Sequence, residues 1–215
     1  MTNKHIVVFD LDGVLLDSES NNSWIESSIQ KTLEHFHLAL SIENRQLLFF
    51  QNINKFRKIS KKLGLEPTVL WPIRNAIYTK EKTRALKQHI IKPFDDVDSL
   101  TKLTPVYDLG IISNSPQSIV DLFIKEFNYH QLFTHVIGRG NTLWDIERMK
   151  PHPYLFNQFK KLIHTENITY IGDTETDRVF AKRTGMKYIY LKRNGSKKDS
   201  FSNLNDVTEY LLKKH

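Results

Sequence analysis

The segment IVVFDLDGVLLDS, residues 6 to 18, ends a hydrophobic run in two aspartates, Asp10 and Asp12, with one leucine between them. Side chains alternate along an extended chain, so both carboxylates emerge on one side if the strand geometry lasts through Asp12. Two like charges held together repel, and burial strengthens the repulsion unless a cation or a shared proton relieves it. Gly13 then allows a sharp turn or a close approach of the backbone to a ligand. A lone DxD is more often a strand end carrying two solvated acids, so its meaning depends on what the rest of the chain brings beside it.

Four further polar groups stand where they can join the pair. Ser113 and Asn114 follow the apolar run Leu109 to Ile112, and Asp173 follows Ile168 to Ile171 and Gly172. Lys150 precedes Pro151 in RMKPHP, just before a helical pattern. Ile6 to Phe9, short and β-branched without polar alternation, suits a strand buried on both faces of a parallel sheet. In such a sheet the carboxyl ends of the strands share one edge, where open α/β folds bind ligands. Three carboxylates, a lysine and a small hydroxyl in one crevice suit a hard cation such as Mg2+ together with a phosphate group.

The elements that must position these groups follow from periodicity. After Asp17 the pattern is helical for some seventy residues. Ser23 is placed to cap a helix through about His35, and apolar spacing predicts a second from about Ile42 to Leu63, with Leu48, Ile53, Phe56 and Ile59 inward and Gly64 as its stop. A third is expected from about Pro67 to His89. From Val97 strands and helices alternate: strands at 109–112, 134–137, 168–171 and 188–191, and helices opening at Pro116, Tyr154, Thr176 and Val207, with Asn194 to Asn205 as a loop. The expected fold is an α/β, Rossmann-like parallel sheet sandwiched by helices, with an inserted helical domain: residues 1–16 and 93–215 form the core and 17–92 the insertion.

Composition narrows the classes of function. The 215 residues, 40% hydrophobic and 26% charged, suffice for a domain with a substantial core. No cysteine is present, which excludes disulfides, zinc thiolates and thiol nucleophiles, and agrees with a cytoplasmic protein. No run approaches a membrane span, and the first strand begins too early to leave room for a signal peptide. The net charge of +7 would help anionic molecules approach. The basic residues are dispersed and no nucleic-acid motif occurs, which argues against nucleic acid as a partner.

The segments DLDGVLLDS, IISNS, KPHP and GDTETD, in that order and with a helical block after the first, resemble the haloacid dehalogenase superfamily, in particular its phosphoglycolate phosphatase-like branch. The resemblance spans residues 9 to 177 and implies a Mg2+-dependent phosphatase acting on a small phosphorylated metabolite. It implies that Asp10 is the nucleophile that forms an aspartyl-phosphate, and that the Asp12 side chain is the general acid and base. Mg2+ would be held by Asp10, the backbone carbonyl of Asp12, and Asp173. Ser113 and Lys150 would hold phosphoryl oxygens, and Asp177 would either anchor Lys150 and the metal's waters or make an outer contact to the metal. Asn114 would orient its loop or meet substrate, and residues 17–92 would be a cap controlling access.

Other functions on the same scaffold are a phosphomutase of the β-phosphoglucomutase type, a nucleic-acid end phosphatase, and a non-catalytic binding protein. The complete set of catalytic residue types argues against the last. Dehalogenation is disfavoured because Asp12 would have no role in it. GRG at 138–140 lacks the third glycine of a dinucleotide fingerprint, and the nine histidines show no metal-binding spacing. Trp24, Trp71 and Trp144 read as core or interface residues. In the insertion, Arg45, Lys55, Arg57 and Lys58 are equivalent candidates for substrate binding, and nothing in the sequence separates them.

Overall fold

A computed structural model describes residues 4–49, 55–193 and 199–214. In chain order the strands are β1 (Ile6–Phe9), β2 (Leu16–Asp17), β3 (Lys92–Pro93), β4 (Asp108–Pro116), β5 (His135–Arg139), β6 (Ile168–Gly172) and β7 (Lys187–Tyr190). The helices are α1 (Ser23–His35), α2 (Ile42–Leu48), α3 (Phe56–Lys62), α4 (Pro67–Lys87), α5 (Gln117–Glu126), α6 (Leu143–Ile146), α7 (Tyr154–Lys160), α8 (Glu175–Thr184) and α9 (Leu204–Lys213). A 3-10 helix, Val97–Leu103, precedes β4.

Five strands form a parallel sheet in the order β5-β4-β1-β6-β7. β1 is central and wholly buried because its residues face helices on both sides. Val7 and Phe9 pack into the cluster built with α5 and α9, while Ile6 and Val8 point the other way, onto Leu155, Phe159 and Phe180 of α7 and α8. This is the α/β sandwich that the uninterrupted apolar strands imply. No helix among the described residues is long and apolar enough to cross a membrane.

The registers bring Phe9 beside both Ile111 and Ile171, so the residues that follow share one edge. β4 continues beyond the expected end at Ile112, and its pairing with β5 slips between Ile112 and Pro116. Ser113 and Asn114 therefore lie inside an irregular strand rather than after it, and such irregularities re-aim side chains at an edge.

Between β2 and β3 the chain leaves the sheet for α1–α4. β2 and β3 pair antiparallel at the base, Leu16 opposite Pro93 and Asp17 opposite Lys92. The Arg193 guanidinium secures this crossing: it pairs with Asp96 at 2.9 Å, donates to the Val14 carbonyl and lies 3.5 Å over the Phe94 ring. The tip of the insertion is fastened through α4. Trp71 Nε1 donates to the Asn141 carbonyl at 3.1 Å, and wholly buried Arg139 donates to Asn75 Oδ1 at 2.8 Å beneath the Trp71 ring. GRG thus docks α4. A Cβ at Gly138 would fall 2.7 Å from the Gln117 backbone, so close packing requires glycine there.

Several expected boundaries differ. The helix expected over 42–63 is two helices, with Ile53 outside the described residues. Ser41 caps α2 through the Asn44 amide, and Phe49 turns extended at ψ 143°. Leu48, Phe56, Ile59 and Leu63 are nevertheless all buried, so apolar spacing carried across a break it could not register. Ser23 is the first residue of α1, not its cap; Asn22 holds that position and makes no side-chain capping bond. α9 starts at Leu204, capped by Asn203, a turn earlier than the apolar pattern. Of the expected loop, residues 194–198 lie outside the described residues. Trp24 and Trp71 are buried, but Trp144 is 45% exposed, lying edge-on to Tyr154 beneath the Arg148 guanidinium.

Candidate active site

Asp10 leaves β1 at the sheet's carboxyl edge. Its Oδ1 accepts a 2.7 Å hydrogen bond from the Leu11 amide, and its Oδ2 lies 2.9 Å from Lys150 Nζ. Lys150, 2% exposed, also donates to Asp177 Oδ1 and to Tyr170 Oη, both at 2.7 Å. The Asn114 side chain holds this lysine's backbone, accepting from its N–H at 2.8 Å and donating to its carbonyl at 3.4 Å. Asn114 therefore spends its amide on orienting the Lys150 loop. Asp177 closes the set from the first turn of α8. Its Oδ2 accepts from the Thr174 amide and hydroxyl in a reciprocal cap, while its Oδ1 takes Lys150 and Tyr170.

Asp12 faces the same cleft but belongs to a different lysine. Lys82 of α4, 1% exposed, reaches its Oδ1 at 2.5 Å and donates to Ser115 Oγ at 2.9 Å, while Ser115 donates to Asp12 Oδ2 at 2.7 Å. The two carboxylates do not share one counter-charge: Lys150 of the core serves Asp10, and Lys82 of the insertion serves Asp12. Ser113 is fully buried, and its Oγ accepts from the Ser115 amide at 3.0 Å, leaving its own O–H to donate elsewhere. Lys82, Ser115 and Tyr170 are polar groups of the site that sequence reasoning missed. A signal existed for Lys82, because Trp71, Asn75, Tyr78, Lys82, Ala85 and Leu86 recur at helical spacing and are all buried. Of the four basic candidates in the insertion, Arg45 pairs with Glu26 and Arg57 with Glu147, and none of the four lines the cleft.

The cleft between sheet edge and insertion holds about 380 Å3. Asp10, Asp12 and Ser113 to Ser115 form its floor, with Trp24, Ile25, Phe49 and Tyr78 above. Its size suits a small molecule with one polar end.

Electrostatics separate the acids. Burial pushes the Asp10 carboxyl up to about 7, with Lys150 opposing and Asp177 and Asp12 adding repulsion. Asp173 is pushed up to about 8 by burial and by Asp10 and Asp177. Burial also presses Asp12 upward, but the charge and hydrogen bond of Lys82, with the Ser115 and Ser18 hydroxyls, outweigh it and hold the carboxyl below its ordinary range. Lys150 is held charged: burial disfavours its ammonium, but Asp10 and Asp177 outweigh that.

Asp173 Oδ1 is buried without a hydrogen-bond partner among the described residues, and Asp10, Asp173 and Asp177 present oxygens within 4.8 Å of one another. An orphaned carboxylate oxygen in a carboxylate cluster fits a hard divalent cation. Each oxygen of Asp177 already accepts two hydrogen bonds, from Lys150 and Tyr170 or from Thr174, whereas each oxygen of Asp10 has one partner, so Asp10 and Asp173 are the available donors. Gly13, at φ +76°, makes room: a Cβ there would fall 2.2 Å from Asp173 Oδ2.

These values fix a sign. Asp10 and Asp173 have carboxyls raised from 3.8, so the folded chain binds more protons than the unfolded one between about pH 4 and pH 8. With divalent ions removed by chelation, these groups make stability fall as pH rises through that window, and a divalent cation held by them would stabilise more at pH 8 than at pH 5. Thermal melts with EDTA and with Mg2+ at both pH values check this. Lys150→Met leaves Asp10 and Asp177 buried without their cation, an expected loss of about 3–5 kcal/mol near neutrality. The loss shrinks at lower pH, where Asp10 protonates, and urea midpoints at pH 5 and pH 8 measure the difference.

Residues 7–191 match the family model described as haloacid dehalogenase-like hydrolase. The chain belongs to that family. Among curated relatives, the pyrophosphatase PpaX of Oceanobacillus iheyensis is 24% identical over 190 residues, covering 84% of this chain and 80% of the relative. A phosphoglycolate phosphatase of Escherichia coli is 24% identical over 212 residues, covering 86% and 80%. The crystal structure of a HAD phosphatase from Thermococcus onnurineus shares the fold with a TM-score of 0.67 at 21% identity, over 96% of this chain and 97% of that one. The α/β sandwich is therefore the fold of this hydrolase family, as the four sequence segments implied.

Proposed function

We propose that this hydrolase is a Mg2+-dependent phosphatase that cleaves a small phosphomonoester through an aspartyl-phosphate on Asp10. The observation that carries the reading is the floor of the cleft, where Asp10 meets Lys150 on one side and the orphaned oxygen of Asp173 lies in the same carboxylate cluster. The curated relatives' names, a pyrophosphatase and a phosphoglycolate phosphatase, agree with phosphate chemistry.

A carboxylate oxygen of Asp10 attacks phosphorus, and the bond from phosphorus to the ester oxygen breaks. The departing oxygen takes a proton from Asp12. Asp12 then removes a proton from the water that attacks the phosphoryl group, the bond to Asp10 breaks, and phosphate leaves. Without substrate, Lys82 favours the carboxylate form of Asp12. Negative charge arriving with the substrate raises that carboxyl and lets it hold the proton it must donate. The free Ser113 O–H and the Lys150 ammonium receive phosphoryl oxygens. Mg2+ held by Asp10, Asp173 and the Asp12 carbonyl would screen the repulsion between carboxylate and phosphate.

Residues 17–92 act in this reading as a cap domain on a core of 1–16 and 93–215, with the β2–β3 pair at the crossing and Lys82 as the cap's contribution to the site. Asp173→Asn halves the charge of the available donor pair, and the Mg2+ concentration for half-maximal rate should rise at least about tenfold. A metal titration of the rate checks this.

The proposal is tested by phosphate release from a panel of phosphomonoesters, including phosphoglycolate, hexose phosphates and nucleotides, with Mg2+ or EDTA. Release that needs Mg2+ and vanishes in Asp10→Asn supports it. Release that survives EDTA undiminished contradicts it.

A further inference from the structure

A second cavity lies outside the catalytic cleft. It is a groove of about 600 Å3 between the start of α3, the segment 143–152 and Arg183 of α8. Lys55, Arg57 and Lys58 stand on one side and His152 and Arg183 on the other, against one lining carboxylate, Glu147. Arg57 donates to Glu147 through Nε at 2.8 Å and also through Nη2, so that acid is committed to one guanidinium. Arg183 is oriented by donating to the Pro151 carbonyl at 3.2 Å. His152 Nδ1 accepts from the Tyr154 amide at 3.1 Å, so the neutral ring carries its proton on Nε2, a further donor. Phe56, Ile146 and Met149, all buried, supply apolar lining.

A cationic rim over an apolar floor matches a ligand with a flat apolar body and several phosphate charges. The volume falls in the range of small-molecule sites, about 300–1,000 Å3. We propose that this groove binds a mononucleotide carrying two or three phosphates, base toward the apolar floor and phosphates on Arg57, Lys58 and Arg183. The site is separate from the catalytic cleft, but two of its lining residues, Met149 and Pro151, flank Lys150. Phosphate on Arg57 also competes with Glu147, an ion pair that ties the helical insertion to the core.

The test is a fluorescence titration of N-methylanthraniloyl-ADP against the full-length Asp10→Asn protein, which cannot turn the probe over. Adding Lys58→Glu and Arg183→Glu, both exposed, weakens binding at least about tenfold, because each change reverses a charge facing the phosphates. In the otherwise wild-type protein the same pair leaves p-nitrophenyl phosphate hydrolysis within about twofold, since neither side chain lines the cleft. Inorganic pyrophosphate competes at least about tenfold less well than ADP, because it has nothing to place on the floor. Binding unchanged by the charge reversals would put the nucleotide in the catalytic cleft and overturn the proposal. Pyrophosphate competing as well as ADP would overturn it too. So would single-stranded oligonucleotide binding about tenfold tighter than ADP, which would make the groove a polymer track.

Discussion

Asp10→Asn is expected to abolish phosphate release, by about 10^4-fold or more, while leaving the fold intact. The amide retains the shape of the carboxyl and can still accept the Leu11 hydrogen bond through its oxygen. It lacks the negative charge and the nucleophilic oxygen that the attack on phosphorus requires. The expected stability is informative in itself. Asp10 is a carboxyl pushed up to about 7, so ionising it at pH 8 opposes folding, and removing it should not lower the melting temperature there. Lys150 keeps Asp177 as its counter-charge. Steady-state kinetics with a thermal melt at pH 8 separate loss of chemistry from loss of structure. A variant that melts like wild type and retains hydrolysis above a hundredth of the wild-type rate would remove Asp10 from the role given to it, a threshold on the order of the smallest loss expected for a missing nucleophile.

The second large effect, from Asp12→Asn, has a different physical signature. Loss of the proton shuttle is worth about 10^2–10^4-fold in rate. The loss depends on the leaving group: an alkyl phosphate, whose departing oxygen needs a proton, suffers more than p-nitrophenyl phosphate, whose phenolate does not. Asp12→Asn also strips the carboxylate from Lys82, which is 1% exposed and otherwise rests on Ser115, Tyr78 and the Trp24 ring. A buried ammonium without its partner costs about 3 kcal/mol, the low end of the usual range because the Asp12 side chain is about a third exposed. Asp12→Asn is thus expected to be both slow and unstable. Adding Lys82→Met removes the stranded charge and should restore the urea midpoint without restoring turnover. Recovery of turnover in the double variant would show that Asp12 serves only to neutralise Lys82.

The residues that the sequence made legible are those whose spacing has a direct structural consequence. The runs at 6–9 and 168–171 suit strands of a parallel sheet, and that placed Asp10 and Asp173 on one edge although 163 positions separate them. Lys150 was visible because it stands before a proline at the opening of a helix, and Asp177 because it ends the GDTETD segment that carries the family resemblance. What stayed hidden depended on partners supplied by tertiary packing. A lysine in a charged helix reads as solvated, and only contact with Asp12 and Ser115 gives Lys82 its role. Ser115 was lost in SNS because only its contacts with Asp12 and Lys82, made by tertiary packing, set its hydroxyl apart from that of Ser113. The break after Leu48 was masked because Leu48 of α2 and Phe56 and Ile59 of α3 are all buried, so the spacing continued while the backbone did not. GRG at 138–140 gave no sign that its arginine would dock against Asn75 and Trp71, since that role belongs to residues some sixty positions earlier.

The central claim, a covalent phosphoryl group on Asp10, is tested most directly by acid-quenching protein during turnover and reducing it with borohydride, which converts an acyl phosphate to the alcohol. Peptide mass spectrometry then locates the reduced side chain. Wild type and Asp12→Asn would be quenched in parallel, the variant because its slowed hydrolysis lets the intermediate accumulate. The account predicts reduction at position 10 in both, more in the variant, and none without substrate. Reduction at Asp12 or Asp173, or continued turnover with no reduced residue in either protein, would contradict it.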